Sequence, residues 1–457
     1  MVLDDIFERF ARQSPVTVMA RAALEHALSP RAIDALFEQT ARRQYTRTLL
    51  FSWVVDLMGT VVAKIQPAAN AAYRAKADAL GVSLRAVYDK LQRLEPGLSA
   101  ELVRHTARTL APVAAAMGGE RAAWLPGYRI KILDGNHLAG TEHRLKELRT
   151  IGAGALPGHA LVVLDPRAML VCDVFPCEDG HAQERSLLGS VLETVQPRDA
   201  WVADRNFCTT DFLFGIARRD GCFVIRQHGA TLFVESMGQR RPRGRSETGA
   251  VFEQEIQLSD GHGQTMKVRR ITVELGTPTR DGETEVHILT NVPAEAADAP
   301  AIATLYRRRW RVEAAFGELA TCLNGEVNTL GYPKAALFAF CVALVSYNVM
   351  SVVKAALRSA HGEEAVEELS FYYLADEVAG THRGMMIAIP EDEWAVFHGL
   401  RAAAFGRILL DMAAGVRLSA YRKQVRGPRR PQPKRENGAR IKHVSTAKLL
   451  DRRKRST

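Results

Sequence analysis

The sequence predicts an α/β protein in which a mixed-sheet core with a β-rich insertion follows an all-helical N-terminal domain and precedes a helical C-terminal region with a basic tail. Three observations carry this. From Ile6 to about Gly118 the apolar residues recur with helical period. After Gly127 short alternating or wholly apolar runs appear with helical segments between them, the order expected of an α/β unit. From Gly229 to Glu283 the composition turns Gly-, Arg- and Thr-rich around strand-like runs. The resulting division is 1–118 helical, 119–228 with 284–370 the core, 229–283 the insertion, 371–420 helical, and 421–457 the tail.

Composition bounds the class. A chain of 457 residues with 47% hydrophobic and 25% charged residues can bury a core, which excludes wholesale disorder, collagen and a disulfide scaffold. The formal charge is +10, but Tyr421 to Thr457 holds 14 Lys/Arg against 2 Asp/Glu, which leaves the first 420 residues at −2. A basic tail on a near-neutral body points to a polyanion. The cysteines at 172, 177, 208, 222, 322 and 341 form no C-x-x-C pair, so a reduced, cytoplasmic chain without a zinc site is expected. Acids at the N-terminus argue against a signal peptide. Ala335 to Val353, 19 residues without a formal charge, is expected to be a buried core helix rather than a membrane span, since Ser346, Tyr347, Asn348 and Ser351 interrupt it.

The elements follow in order. Pro67 to Leu80, the turn Gly81-Val82-Ser83, and Leu84 to Leu94 read as helix, turn, helix, with Ser83 as cap. Leu84, Val87, Leu91 and Leu94 give the second helix an apolar face and leave Arg85, Tyr88, Asp89 and Lys90 outward. The pattern fits a reader of the DNA major groove, with Arg85 and Lys90 as contacts, or an ordinary helical hairpin. In the core, strands are expected at Tyr128–Asp134, Ala160–Leu164, Met169–Phe175, Ala200–Ala203 and Cys222–Arg226, with helices over Gln183–Thr194 and Asp211–Arg219. The insertion offers strands at Val251–Leu258 and Met266–Val273. Val286–Leu289 and helices from about Pro300 then resume the core.

Two aspartates stand where strands are expected to end. Asp134 is followed by Gly135-Asn136, and Asp204 by Arg205-Asn206-Phe207. Ligands bind at strand ends in open α/β sheets, although Asp is also a common turn former. Farther on, Tyr306, Arg309 and Glu313 fall at spacings of three and four, one stripe of a helix. A glutamate held there can meet the two aspartates, and three such carboxylates are the ligands that Mg2+ or Mn2+ prefers. Two such ions can clamp a phosphodiester, one at the attacking and one at the leaving oxygen.

Asp134-Gly-Asn, Asp204-Arg-Asn-Phe and the run Leu305-Tyr-Arg-Arg-Arg-Trp-Arg-Val-Glu-Ala-Ala-Phe resemble the insertion sequence 4 family of bacterial DDE transposases, over roughly residues 30 to 450. The resemblance implies a ribonuclease H-like catalytic core, Asp134, Asp204 and Glu313 as catalytic metal ligands, and two Mg2+ or Mn2+ ions. It implies cut-and-paste movement of a DNA element by strand cleavage and strand transfer, with double-stranded DNA as partner and a homodimer on it. The family's signature continues to a Lys where this chain has Ala320.

Further DNA contacts are expected from Tyr306 and Arg309, from Arg307, Arg308 and Arg311 around the same stripe, and from Arg240, Arg241, Arg243 and Arg245 in a flexible loop. Trp310 is assigned to core packing, as is Asn348, and the tail is expected to stay disordered until it meets DNA. A cleavage-only nuclease, a catalytically silent DNA-binding derivative and a membrane-associated protein are the competing functions.

Overall fold

The computed structural model describes residues 5–44, 48–228, 232–279, 282–424, 427 and 443–456. The N-terminal helices are α1 (Asp5–Gln13), α2 (Pro15–Ala27), α3 (Pro30–Thr40), α4 (Phe51–Val62), α5 (Ala69–Leu80), α6 (Leu84–Leu91) and α7 (Pro96–Ala116). The helix–turn–helix expected here is formed by α5 and α6. Gly81 supplies the left-handed turn at φ 59° that stops α5. Ser83 caps α6 by accepting from the Ala86 amide at 3.2 Å. The second helix stops at Leu91, shorter than expected, and Lys90 folds back so that its ammonium lies 4.1 Å from the centre of the Phe37 ring.

The core follows as β1 (Arg129–His137), β2 (Gly154–Leu156), β3 (His159–Asp165), β4 (Leu170–Cys177), α8 (Leu188–Leu192), β5 (Asp199–Ala203), α9 (Thr210–Ala217) and β6 (Cys222–Arg226). The insertion contributes β7 (Phe233–Met237), β8 (Arg241–Ser246), β9 (Gly249–Ser259) and β10 (Thr265–Leu275), and β11 (Glu285–Thr290) returns to the core. Among the described residues these strands, β2 excepted, make one ten-stranded sheet in the order β4-β3-β1-β5-β6-β11-β10-β9-β7, with β8 also on β9. The first five have the ribonuclease H-like arrangement: β3 runs antiparallel to β1 and β4, while β1, β5 and β6 are parallel. The insertion is therefore a continuation of the core sheet across the antiparallel β6–β11 pair.

Alternation along the strands sends residues to two separate cores. Leu133, Leu161, Val163, Trp201, Ala203 and Phe223 face α8 and α9. Ile132, Val162, Leu164, Ala200, Val202 and Val224 face the opposite side. There lies α12 (Pro333–His361), which follows α10 (Ala299–Arg307) and α11 (Trp310–Cys322). The α12 window long and apolar enough to cross a membrane is wholly buried inside the fold, as the core-helix reading expects. Helices α2, α4 and α7 pack on it, as does α15 (Ala402–Ala414), which comes after α13 (Glu363–Glu367) and α14 (Phe371–Ala388).

The tail corrects an expectation. Tyr421 is buried and its hydroxyl bonds to Glu377. Farther on, β12 (His443–Ser445) pairs in parallel with β2, and α16 (Thr446–Ser456) follows. Val444, Leu449 and Leu450 pack on Leu145, Leu148 and Ala155. Those few apolar side chains suffice to dock a segment whose composition otherwise reads as a solvated polycation. Residues 425, 426, 428–442 and 457, for which disorder was also expected, lie outside the described residues.

Candidate active site

Parallel pairing between β1 and β5 ends at Leu133 with Ala203. Asp134 and Asp204 are the next residues on each strand, so they leave the ladder side by side. For Asp204 this is a true strand end, and its Oδ1 accepts from the Asn206 amide at 2.8 Å, capping the turn Arg205–Phe207. Asp134 is not at a strand end as expected, because Gly135, Asn136 and His137 stay paired with Leu161, Ala160 and His159 of β3. A strand loses one neighbour before the other here, and the aspartate sits where β5 drops away.

The Tyr306–Arg309–Glu313 stripe also differs from the single helix expected. The chain breaks between α10 and α11, with Tyr306 in the last turn of the first, Arg309 at the start of the second, and Glu313 in its first turn. All three still reach one place. The Arg309 guanidinium is a bridge, donating from Nη1 to Asp134 Oδ2 at 3.0 Å and from Nη2 to Glu313 Oε1 at 2.7 Å. Arg309 is only 6% exposed, which makes it a structural part of the site rather than the free surface ion pair or DNA contact that its sequence setting also allowed.

Burial and neighbouring charge both act on these groups. Burial pushes the Asp134 carboxyl up to about 7, against the pull of Arg309, and the negative charges of Asp204 and Glu313 add to the rise. Tyr306 is raised mainly by burial, and it feels both Arg309 and Asp204. Even so, among the described residues no three His, Cys, Asp or Glu side chains are gathered closely enough to hold a metal as they stand. The convergence of three bare carboxylates expected from the sequence is interrupted by the guanidinium between Asp134 and Glu313. The donor chemistry nonetheless suits a hard divalent cation, since Asp134, Asp204 and Glu313 offer carboxylate oxygens.

Most of the expected DNA-contacting cations already have partners within the fold. Arg307 pairs with Glu247, Arg311 Nη1 is 3.1 Å from Glu367, and the Arg308 guanidinium lies 5.4 Å from the Trp124 ring centre. The run at 240–245 is not a flexible loop, since Arg241–Ser246 is strand β8 on β9. Arg240 bonds Glu274 and Glu285 and lies over Phe252, and Arg243 bonds Glu253 at 2.7 Å. Arg241 and Arg245 are exposed. Arg85 is 91% exposed at its side chain with Asp89 at 3.8 Å, whereas Lys90 is half-buried and its ammonium is depressed by that burial. Trp310 is not in the core as expected: it is 59% exposed, off the buried Val312–Ala315–Leu319 stripe of α11, and 5.3 Å from the Arg309 guanidinium.

Sequence reasoning missed one acid at this site. Glu184, in a short turn after β4, accepts from Asn206 Nδ2 at 2.5 Å. Its only signal was Gly135, the residue after Asp134, where any Cβ would overlap the Glu184 carboxyl group.

Residues 125–349, which span both aspartates, Arg309 and Glu313, match the family model described as Transposase DDE domain. No curated protein matches the chain. Among solved structures, the cryo-EM structure of piggyBac transposase synaptic complex with hairpin DNA aligns with 93% of this chain and 90% of its own, at 10% identity and a TM-score of 0.41.

Proposed function

We propose that this chain, a protein with a transposase DDE domain over residues 125–349, is a DNA transposase of the insertion sequence 4 type that cleaves element ends and joins them to target DNA. The observation that carries the reading is the site itself: Asp134 and Asp204 at the end of a shared parallel ladder, with Glu313 tied to Asp134 through Arg309. Asp134, Asp204 and Glu313 would hold two divalent ions, Mg2+ or Mn2+. When bound, such ions supply Lewis-acid stabilisation to a phosphodiester and lower the pKa of an attacking hydroxyl.

The chain's own residues do the positioning. Arg309 fixes the rotamer of Glu313 and holds it within reach of the strand ends. Tyr306, half-buried beside Arg309, packs against the apolar core and so helps to set where that bridge sits. Exposed Trp310, beside the Arg309 guanidinium, offers a ring on which a nucleobase can stack, and Arg241 and Arg245 on the insertion edge offer charge to a phosphate backbone. Duplex DNA is the partner, engaged by a homodimer in the cytoplasm on the nucleoid. Ala320, exposed on α11, brings no cation to the place where the family carries a lysine, so the chain makes one phosphate contact fewer.

The test is Asp204→Asn. The variant is expected to bind element-end duplexes like the parent while producing no cleavage. Cleavage at the parental rate would remove Asp204 from the chemistry. For the parent protein, strand-transfer product distinguishes transposition from nuclease action, and cut ends without joined product would favour the cleavage-only reading.

A further inference from the structure

Glu184 has no part in the chemistry above, yet it touches both aspartate-bearing segments. Its side chain is 15% exposed. Oε2 accepts from Asn206 Nδ2 at 2.5 Å, and Oε1 lies 3.5 Å from His137 Nδ1. The carboxyl group rests on the β1 backbone at Gly135, where a Cβ would overlap it. Neighbouring Arg185 donates from Nε to the Asn206 carbonyl at 2.6 Å, so one turn grips the Asp204 loop twice.

The contacts at Gly135 and Asn206 are each one step from a carboxylate. The Gly135 amide donates to Asp134 Oδ1 at 3.0 Å, and the Asn206 amide donates to Asp204 Oδ1 at 2.8 Å. The β1–β5 ladder has already ended at Leu133 and Ala203, so it cannot fix the separation of the two aspartates beyond that point. A carboxylate lying across the gap can. A hydrogen bond to a charged acceptor is stronger than a neutral one, and burial strengthens it further. Gly135 sits on β1 without a positive φ, so what a side chain there would meet is the Glu184 carboxyl group rather than backbone strain.

We infer that Glu184 is a positioning residue of the phosphoryl-transfer site, holding Asp134 and Asp204 at a fixed spacing for divalent cations through Gly135 and Asn206. The inference rests on the transposase reading for what the aspartates bind. Groups that orient metal ligands are worth about 10- to 100-fold in metal affinity when removed.

The experiment measures Mn2+ binding to the full-length, DNA-free protein by loss of the free-ion paramagnetic resonance signal, with circular dichroism melting as the check on folding. The parent should bind and Asp204→Asn should bind far more weakly. Glu184→Ala should lose about 10- to 100-fold, while Glu184→Gln, which keeps a neutral acceptor for Asn206 Nδ2, should lose less than Glu184→Ala. Gly135→Ala evicts the carboxylate and should resemble Glu184→Ala, and the double variant should be no weaker than Glu184→Ala alone, a non-additivity expected only of residues in contact. If Glu184→Ala does not fold, Asn206→Ala removes the same bond from the other side and should show the same loss. Parental affinity in Glu184→Ala or its Asn206→Ala substitute, or additive losses in the double variant, would overturn the inference. A parent that binds no Mn2+, or an Asp204→Asn that binds normally, would instead refute the cation reading from which it starts.

Discussion

At the scale of the residue, Asp134 shows a site tuned at the expense of stability. Its side chain is 14% exposed, and burial chiefly lifts its carboxyl to about 7 from an ordinary 3.8. A folded-state pKa above the unfolded one favours the fold while the group is protonated in both states. As pH rises from 3.8 toward 7 the unfolded chain releases its proton first, and the folded state loses ground by about 1.4 kcal/mol for each unit of difference. The metal-free protein at pH 8 therefore carries an ionised Asp134 at a cost of a few kcal/mol. Asp134→Asn, which keeps an oxygen for Arg309 to bond, should raise the melting temperature in EDTA at pH 8, lose that advantage by pH 4, and cleave no DNA. Thermal melts of both proteins across this pH range check it, and an equal or lower melting point for the variant at pH 8 would contradict it.

Among the elements, what was legible in the sequence had strong local period. Cys222–Arg226 is the strand its apolar run announces, and the runs at 160–164, 200–203 and 251–258 lie within β3, β5 and β9. What was hidden depends on partners distant in sequence. Nothing near Asp134 shows that β3 continues to pair with the three residues after it, or that an arginine 175 positions away will bond its carboxylate. Glu184, in a turn, was equally silent, its meaning lying in a glycine on β1. The docked tail is the clearest case, since a strand of three residues and two leucines carry no periodic signal. That docking can be tested directly. Leu449→Asp with Leu450→Asp puts two charges into the small cluster formed with Leu145, Leu148 and Ala155, and desolvating unpaired charges is costly enough to release the segment. Hydrogen exchange at Gly154–Leu156, the strand that β12 covers, should then accelerate by at least about tenfold, an opening cost lowered by about 1.4 kcal/mol. Unchanged protection would mean that β2 holds its place without the tail.

Across the whole molecule, α12 joins the helical half to the sheet, and Asn348 is the polar pin in an otherwise apolar contact. The asparagine is fully buried. Its Oδ1 accepts from the Val171 amide at 2.7 Å and its Nδ2 donates to the Val171 carbonyl at 2.9 Å. Among the described residues strand β4 is the last in its direction of the sheet, so Val171 has backbone groups that no further strand there pairs, and an edge left open invites pairing with other chains. The side chain thus closes part of a sheet edge and fixes the register of α12 against it, which in turn fixes where α2, α4, α7 and α15 meet the core. Asn348→Leu keeps the branched shape, although its methyl groups are bulkier, and leaves a buried donor and a buried acceptor without partners, at about 1–3 kcal/mol for each group. The expected result is a protein that melts earlier, with hydrogen exchange at Val171 accelerated more than at the central strands β1 and β5. Asn348→Asp should be worse still, because a carboxylate can accept from the Val171 amide but sets a negative charge against the Val171 carbonyl in a dry core. If both variants melt with the parent and keep Val171 protected, the apolar packing of α12 alone holds the two halves together.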